Sequence, residues 1–190
     1  MSDTTEARVS PVKVAVVQFE PRVGVENLQR NTDAVTQRIG RAADQGAGLI
    51  VLPELATTGY VFQTREEAFA HAEAVPDGAT VELLSRLAAE RDLYLVACIV
   101  ERDGDRLYDT AVLVGPTGYV GRYRKTHLWN TEKLWFTPGD EGYKVFDTPI
   151  GRIGLLVFAF ALVGAAVWMS YQASRRLTGG RLHGSAIAIF

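Results

Sequence analysis

The order of apolar runs in this chain predicts an α/β fold built on a mixed sheet. Two short β-branched runs, residues 12–19 (V-K-V-A-V-V-Q-F) and 48–52, flank a stretch with helical spacing. Strand, helix, strand in that order is a crossover unit and therefore a parallel pair. Further on, residues 93–100, 107–114 and 119–123 are separated only by turns at Asp103-Gly104 and Gly115 to Gly118, the pattern of antiparallel hairpins. A sheet that starts parallel and ends antiparallel, with helices on its outer side, accounts for both.

Taken in order, residues 1–11 are polar and expected to be disordered. The first strand follows, with Val14, Val16 and Gln18 on one face and Val12, Ala15 and Val17 in an apolar remainder. Pro21 and Gly24 make a loop. Over 25–44 the apolar positions Leu28, Val35, Ile39 and Ala42 recur at helical spacing, and Gly46 sits where a C-cap glycine belongs. Residues 48–52 then form a strand apolar enough to be buried on both faces. Pro53 ends it, because proline cannot donate to a ladder, and Glu54 is presented just past its carboxyl end, where open α/β sheets place their chemistry. A general base and a carboxylate capping the next turn are both consistent with that position.

Residues 63–74 read as a short helix carrying His71, a surface or cap histidine with no partner at metal-ligand spacing. After a turn at Pro76-Asp77-Gly78, Thr80 is placed to cap a helix in which Val81, Leu84, Leu87 and Ala88 share a face. Cys98 lies mid-strand among Val96, Ile99 and Val100, which assigns it to packing rather than nucleophilic attack.

With 190 residues the chain suits one domain. One cysteine allows no internal disulfide, and the start M-S-D-T-T-E-A-R has no apolar signal core, so a reducing, cytoplasmic setting is expected. A formal net charge of -2 and a pI near 5.9 disfavour nucleic acid as a partner. Charge is unevenly spread: from residue 154 onward there is neither Asp nor Glu, and there are three arginines, Arg175, Arg176 and Arg181.

The motifs P-E-L-A-T-T-G-Y (53–60), G-R-Y-R-K-T-H-L (121–128), T-E-K-L-W-F-T-P-G-D (131–140) and F-D-T-P-I-G-R-I-G (146–154), after a first strand ending V-V-Q-F, stand in one order. That order resembles the nitrilase (carbon-nitrogen hydrolase) superfamily. The resemblance implies an α-β-β-α sandwich, incomplete here at its C-terminus, with 12–154 as the N-terminal portion of the hydrolase domain and 155–190 as a divergent apolar, then basic, tail. It further implies homo-oligomers, no cofactor or metal, and hydrolysis of a small-molecule amide, nitrile or carbamoyl substrate. Residue by residue, it makes Glu54 the general base, Lys125 the cation near the developing oxyanion and Glu132 the second glutamate, the third catalytic member being a cysteine. Without the resemblance, Lys125 reads as a solvated lysine in a basic patch with Arg122 and Arg124, Glu132 as half of a surface ion pair with Lys133, and His127 as structural.

The pattern then breaks. Where the family strand ends in its cysteine this chain has Phe158, with Phe160 where an acid often follows, and phenylalanine has no nucleophilic atom. Residues 153–174 carry no charge and are followed by Arg175 and Arg176, a length and flank suited to a membrane helix. Three readings of the tail follow: an out-of-frame or truncated end, a membrane anchor on an inactive homologue, or a divergent strand and helix in a binding protein. Two functions are therefore expected, a carbon-nitrogen hydrolase without its nucleophile or a non-catalytic binding module on the same scaffold, membrane-anchored through 153–174.

Overall fold

The computed structural model describes residues 11–157 and 186–189. The expected disorder before Pro11, Phe158 and most of the 155–190 tail lie outside the described residues.

Strand β1 (Val14–Val17) leads through a 3-10 turn at Val25–Asn27 into helix α1 (Leu28–Asp44), and the chain returns as β2 (Leu49–Val51). Helix α1 buries Val35, Ile39 and Ala42 as its spacing predicts, but Leu28 is exposed and Asn31 is the buried residue of the first turn; Gly46 closes the helix at φ +81°. Helices α2 (Arg65–Ala70) and α3 (Ala79–Arg91) precede a meander of β3 (Tyr94–Asp103), β4 (Arg106–Gly115) and β5 (Gly118–Arg124). After the short helix α4 (Glu132–Trp135) come the hairpin strands β6 (Val145–Thr148) and β7 (Gly151–Gly154), and finally β8 (Ala186–Ile189). The main sheet has the order β5-β4-β3-β2-β1-β8. Strands β8, β1, β2 and β3 are mutually parallel and β3 to β5 antiparallel, so the predicted switch from crossover to hairpin falls at β3.

Period-two alternation sends the two faces of this sheet to two cores. On one face Ala15, Val17, Ile50, Leu95, Ala97, Ile99, Val112 and Val114 pack under α1 and α3. On the other, Tyr94, Cys98, Val100, Leu107, Ala111, Leu113 and Tyr123 meet Leu55, Phe62, Phe136 and Leu155, with Phe146 and Ile153 of the hairpin against them. One α-β half of the sandwich is thus in place, and β6 and β7 begin the cover of its inner face.

Two local expectations are corrected. Thr80 does not cap α3: Gly78 is the cap residue, and the carboxylate of Glu73 accepts from the Thr80 N–H at 2.7 Å, a partner too distant in sequence to be read from capping rules. His71 ends α2 as expected but is buried, with its ring against Phe62 at 5.8 Å between centroids, and burial pushes its pKa down. Strand β8 alongside β1 was not foreseen from the tail's composition.

Candidate active site

Glu54 stands where Pro53 predicts, in the turn beyond β2. The ladder runs one residue past the strand, with the Leu52 N–H donating to the Val96 carbonyl at 2.9 Å, before proline ends it. Leu55 then turns the chain with φ +48°, an unusual conformation for a branched side chain, held by complete burial of that side chain and by donation from the Gly59 N–H to the Leu55 carbonyl at 2.9 Å. From α1, Asn31 donates to the carbonyls of Arg22 and Thr57, tying the same turn to the helix.

Lys125 follows the last residue of β5, and its main chain is fixed on both sides. Its N–H donates to the Asp109 carbonyl and its own carbonyl accepts from Gly139, each at 2.9 Å. Gly139 lies so close to the Arg124 carbonyl that a side chain there would strike it. Glu132 opens α4, where its side chain accepts from the Trp129 N–H at 2.7 Å while its own N–H donates back to the Trp129 carbonyl.

These three segments bring the predicted residues together. The Lys125 ammonium donates to Glu54 Oε1 and to Glu132 Oε1, each at 2.7 Å. The Lys125 and Glu132 side chains are 0% and 2% exposed, whereas Glu54 keeps 20% of its side chain accessible, so Glu54 is the member of the cluster that a ligand can reach. Burial pulls the lysine pKa down, but the surrounding acids Asp109, Glu132 and Glu54, the last two through hydrogen bonds, outweigh it and leave it raised, so the ammonium stays charged. The Tyr60 hydroxyl donates a short hydrogen bond to Glu132 Oε1, and burial, then that bond, raises the phenol pKa. Neither the solvated lysine nor the surface Glu132–Lys133 pair describes the molecule.

One member of the cluster carries no signal in the motifs. Asp109 of β4 is fully buried, with Oδ2 3.4 Å from the Lys125 ammonium. Carboxylate oxygens of Glu54, Asp109 and Glu132 lie within 4.8 Å of one another, a spacing that suits a metal ion, but the lysine's own ammonium already holds the place among them. Its strand position could have revealed it: alternation puts residue 109 on the same face as Leu107, Ala111 and Leu113, where an acid is out of place. Cys98, opposite Ala111 in the ladder, is buried on this face too. Burial first, then Asp109 and Glu54, raise its thiol pKa, the reverse of what a nucleophile needs.

The opposite face of the same strands holds a second ionic cluster. Glu101 accepts from Arg122 at 2.5 Å, from Arg124 at 2.5 and 3.0 Å and from the Thr110 hydroxyl at 2.6 Å. Arg124 reaches Asp103 and lies 3.8 Å from the Tyr108 ring centroid, while Glu141 joins Arg122 to Lys144. The arginines expected to form a basic patch are thus consumed by internal pairing.

Comparison with known proteins follows the same division of the chain. Residues 13–159 match the family model for carbon-nitrogen hydrolase, and residues 149–190 match that for the malonate/sodium symporter MadM subunit. A nitrilase from Pyrococcus abyssi is 45% identical over 146 residues, which is 77% of this chain and 55% of that protein. An N-carbamoylputrescine amidase from Solanum lycopersicum is 32% identical over 153 residues, 77% of this chain and 50% of the relative. Among solved structures, an amidase from Nesterenkonia sp. superimposes with a TM-score of 0.63 at 26% identity, covering 82% of this chain and 58% of that one. An N-terminal amidase gives a TM-score of 0.65 at 24% identity over 77% and 38% of the two chains. The chain therefore spans about half the length of the curated relatives it matches.

Proposed function

The chain belongs to the carbon-nitrogen hydrolase family, and from that premise we propose that Glu54, Lys125 and Glu132 are the base, the oxyanion-stabilising cation and the supporting carboxylate of a site for amide, nitrile or carbamoyl substrates, in a chain that lacks the attacking thiol. The observation that carries this reading is the pair of 2.7 Å bonds from one buried ammonium to two glutamates delivered from separate elements. In such a site a cysteine thiolate attacks the electrophilic carbon while Glu54 takes up the thiol proton. Lys125 faces the negative charge that grows on the substrate heteroatom, a contribution on the order of 3 kcal/mol. Glu54 passes that proton to the departing ammonia or amine and, again a carboxylate, activates the water that releases the acyl group. Glu132 and Tyr60 keep the ammonium aimed at the site.

The covalent step needs a sulfur that position 158 does not supply, and Cys98, with its raised pKa, is no substitute. Purified protein given simple amides and nitriles is therefore expected to release no ammonia above a Glu54→Ala control. Turnover that depends on Glu54 would overturn the missing-nucleophile reading.

A second reading is a binding module tethered by residues 153–174, and the likeness of 149–190 to a symporter subunit favours it. That likeness also supports a tail with a sequence history of its own over an unselected reading frame. Among the described residues no helix is long and apolar enough to cross a membrane. Partition of the full chain into the detergent phase, with trypsin releasing a water-soluble piece near 12–152, would support the tether, and full recovery in the aqueous phase without detergent would remove it.

A further inference from the structure

We propose that Asp109 is a positioning residue that keeps its proton in the folded protein and donates it as a hydrogen bond to Glu54, holding the base in place as a neutral acid. The inference rests on reading Glu54 as the base, and its grounds are the donors each carboxylate receives. Glu132 accepts from Lys125, Tyr60 and the Trp129 N–H. Glu54 accepts from Lys125 and is open to water. Among the described residues, neither oxygen of Asp109 has a hydrogen-bond donor, and its side chain is 0% exposed. The Lys125 ammonium lies 3.4 Å away, well beyond the ~2.8 Å of a charge-assisted bond.

An ionised carboxylate without donors or water is costly to bury, and one ammonium cannot neutralise three acids. Protonating Asp109 removes both problems, because the neutral acid becomes a donor, with carboxylate oxygens of Glu54 and Glu132 within 4.8 Å of its own. The titratable groups around it share the same enclosure: Glu54 from the turn after β2, Lys125 from the end of β5, Glu132 from α4 with the neutral Tyr60 phenol behind it, and the neutral Cys98 thiol from β3. Burial first, then the charge of Glu54, push the Asp109 pKa in the same direction, against the pull of Lys125.

The test is carboxyl carbon NMR on the full chain labelled at aspartate and glutamate, with Asp109→Asn to assign the resonance. One aspartate line is expected to keep the shift of a protonated acid at pH 7 and to vanish in Asp109→Asn. Ionisation of every aspartate by pH 6 would overturn the proposal. Asparagine also donates, so Asp109→Asn should leave the Glu54 line where it is while Asp109→Ala moves it, and equal shifts in both variants would refute the positioning role. Should the alanine variant not fold, unfolding of the parent and of Asp109→Asn across pH decides. The parent's unfolding constant should rise relative to the variant's by up to tenfold per pH unit above about pH 4, because only the native parent retains the proton, and a flat ratio would contradict it. Ammonia release enters none of these readings, so the hydrolase proposal and this one fail separately.

Discussion

Strands β3, β4 and β5 carry an ionic cluster on each face, and the two are composed differently. Under α3, Glu101, Asp103 and Glu141 meet Arg122, Arg124 and Lys144, three acids against three bases. On the inner face Glu54, Asp109 and Glu132 share Lys125 alone. A cluster that neutralises itself fixes strands to one another and has nothing left to give a ligand. One with surplus acid must hold a proton or find a cation, and that unfinished balance is what the proposed site would draw on.

The sharpest way to break this contrast is to remove the shared cation. Lys125→Met should cost about 3–5 kcal/mol in urea unfolding, since it leaves buried acids unpaired, while exposed Lys133→Met should stay within about 0.5 kcal/mol. Equal costs would mean that the inner cluster does not depend on its lysine. Arg124→Met should cost less, about 2–3 kcal/mol, because Glu101 keeps Arg122 and Thr110, and the pH profile of the Asp109 carboxyl should not move. A shift there would mean that the two faces communicate. Tyr60→Phe removes one hydrogen bond from Glu132 and should cost about 1–1.5 kcal/mol by thermal melting. The smallest effect belongs to Glu141, whose pKa the hydrogen bond from Arg122 lowers from 4.5 to about 2. A depressed carboxyl stabilises above its unfolded pKa and loses that contribution as pH falls through the folded value. Glu141→Gln should therefore flatten the acid limb of a stability profile between about pH 4.5 and 2 and change little in slope above it.

The parallel-to-antiparallel order of β1 to β5 was legible because each of these five strands announces itself locally, by β-branching, by a closing proline or by a two-residue turn, as β8 does not. Glu54, Lys125 and Glu132 were legible as candidates through motif order, and Glu54 also through Pro53. Their convergence was legible only through the family resemblance, since it brings together residues far apart in sequence, from the turn after β2, the end of β5 and α4. Asp109 was hidden differently: in L-Y-D-T-A-V it looks like a turn acid drifting into a strand, and only the parity of the strand shows that it faces the core. Glu101 hides in the same way as the first charge after an apolar run. Thr80 misled because a local rule was overruled by a carboxylate from across a loop.

Residue 125 is gripped by its peptide groups, with Asp109 accepting from one side and Gly139 donating from the other. Its main chain is therefore held by bonds separate from those its side chain makes. An engineer can regard that site as a socket: an unnatural amine, a shorter diamine or an isotopically tagged lysine installed there should sit in the same register, reporting on or retuning the cluster while the strand end stays put.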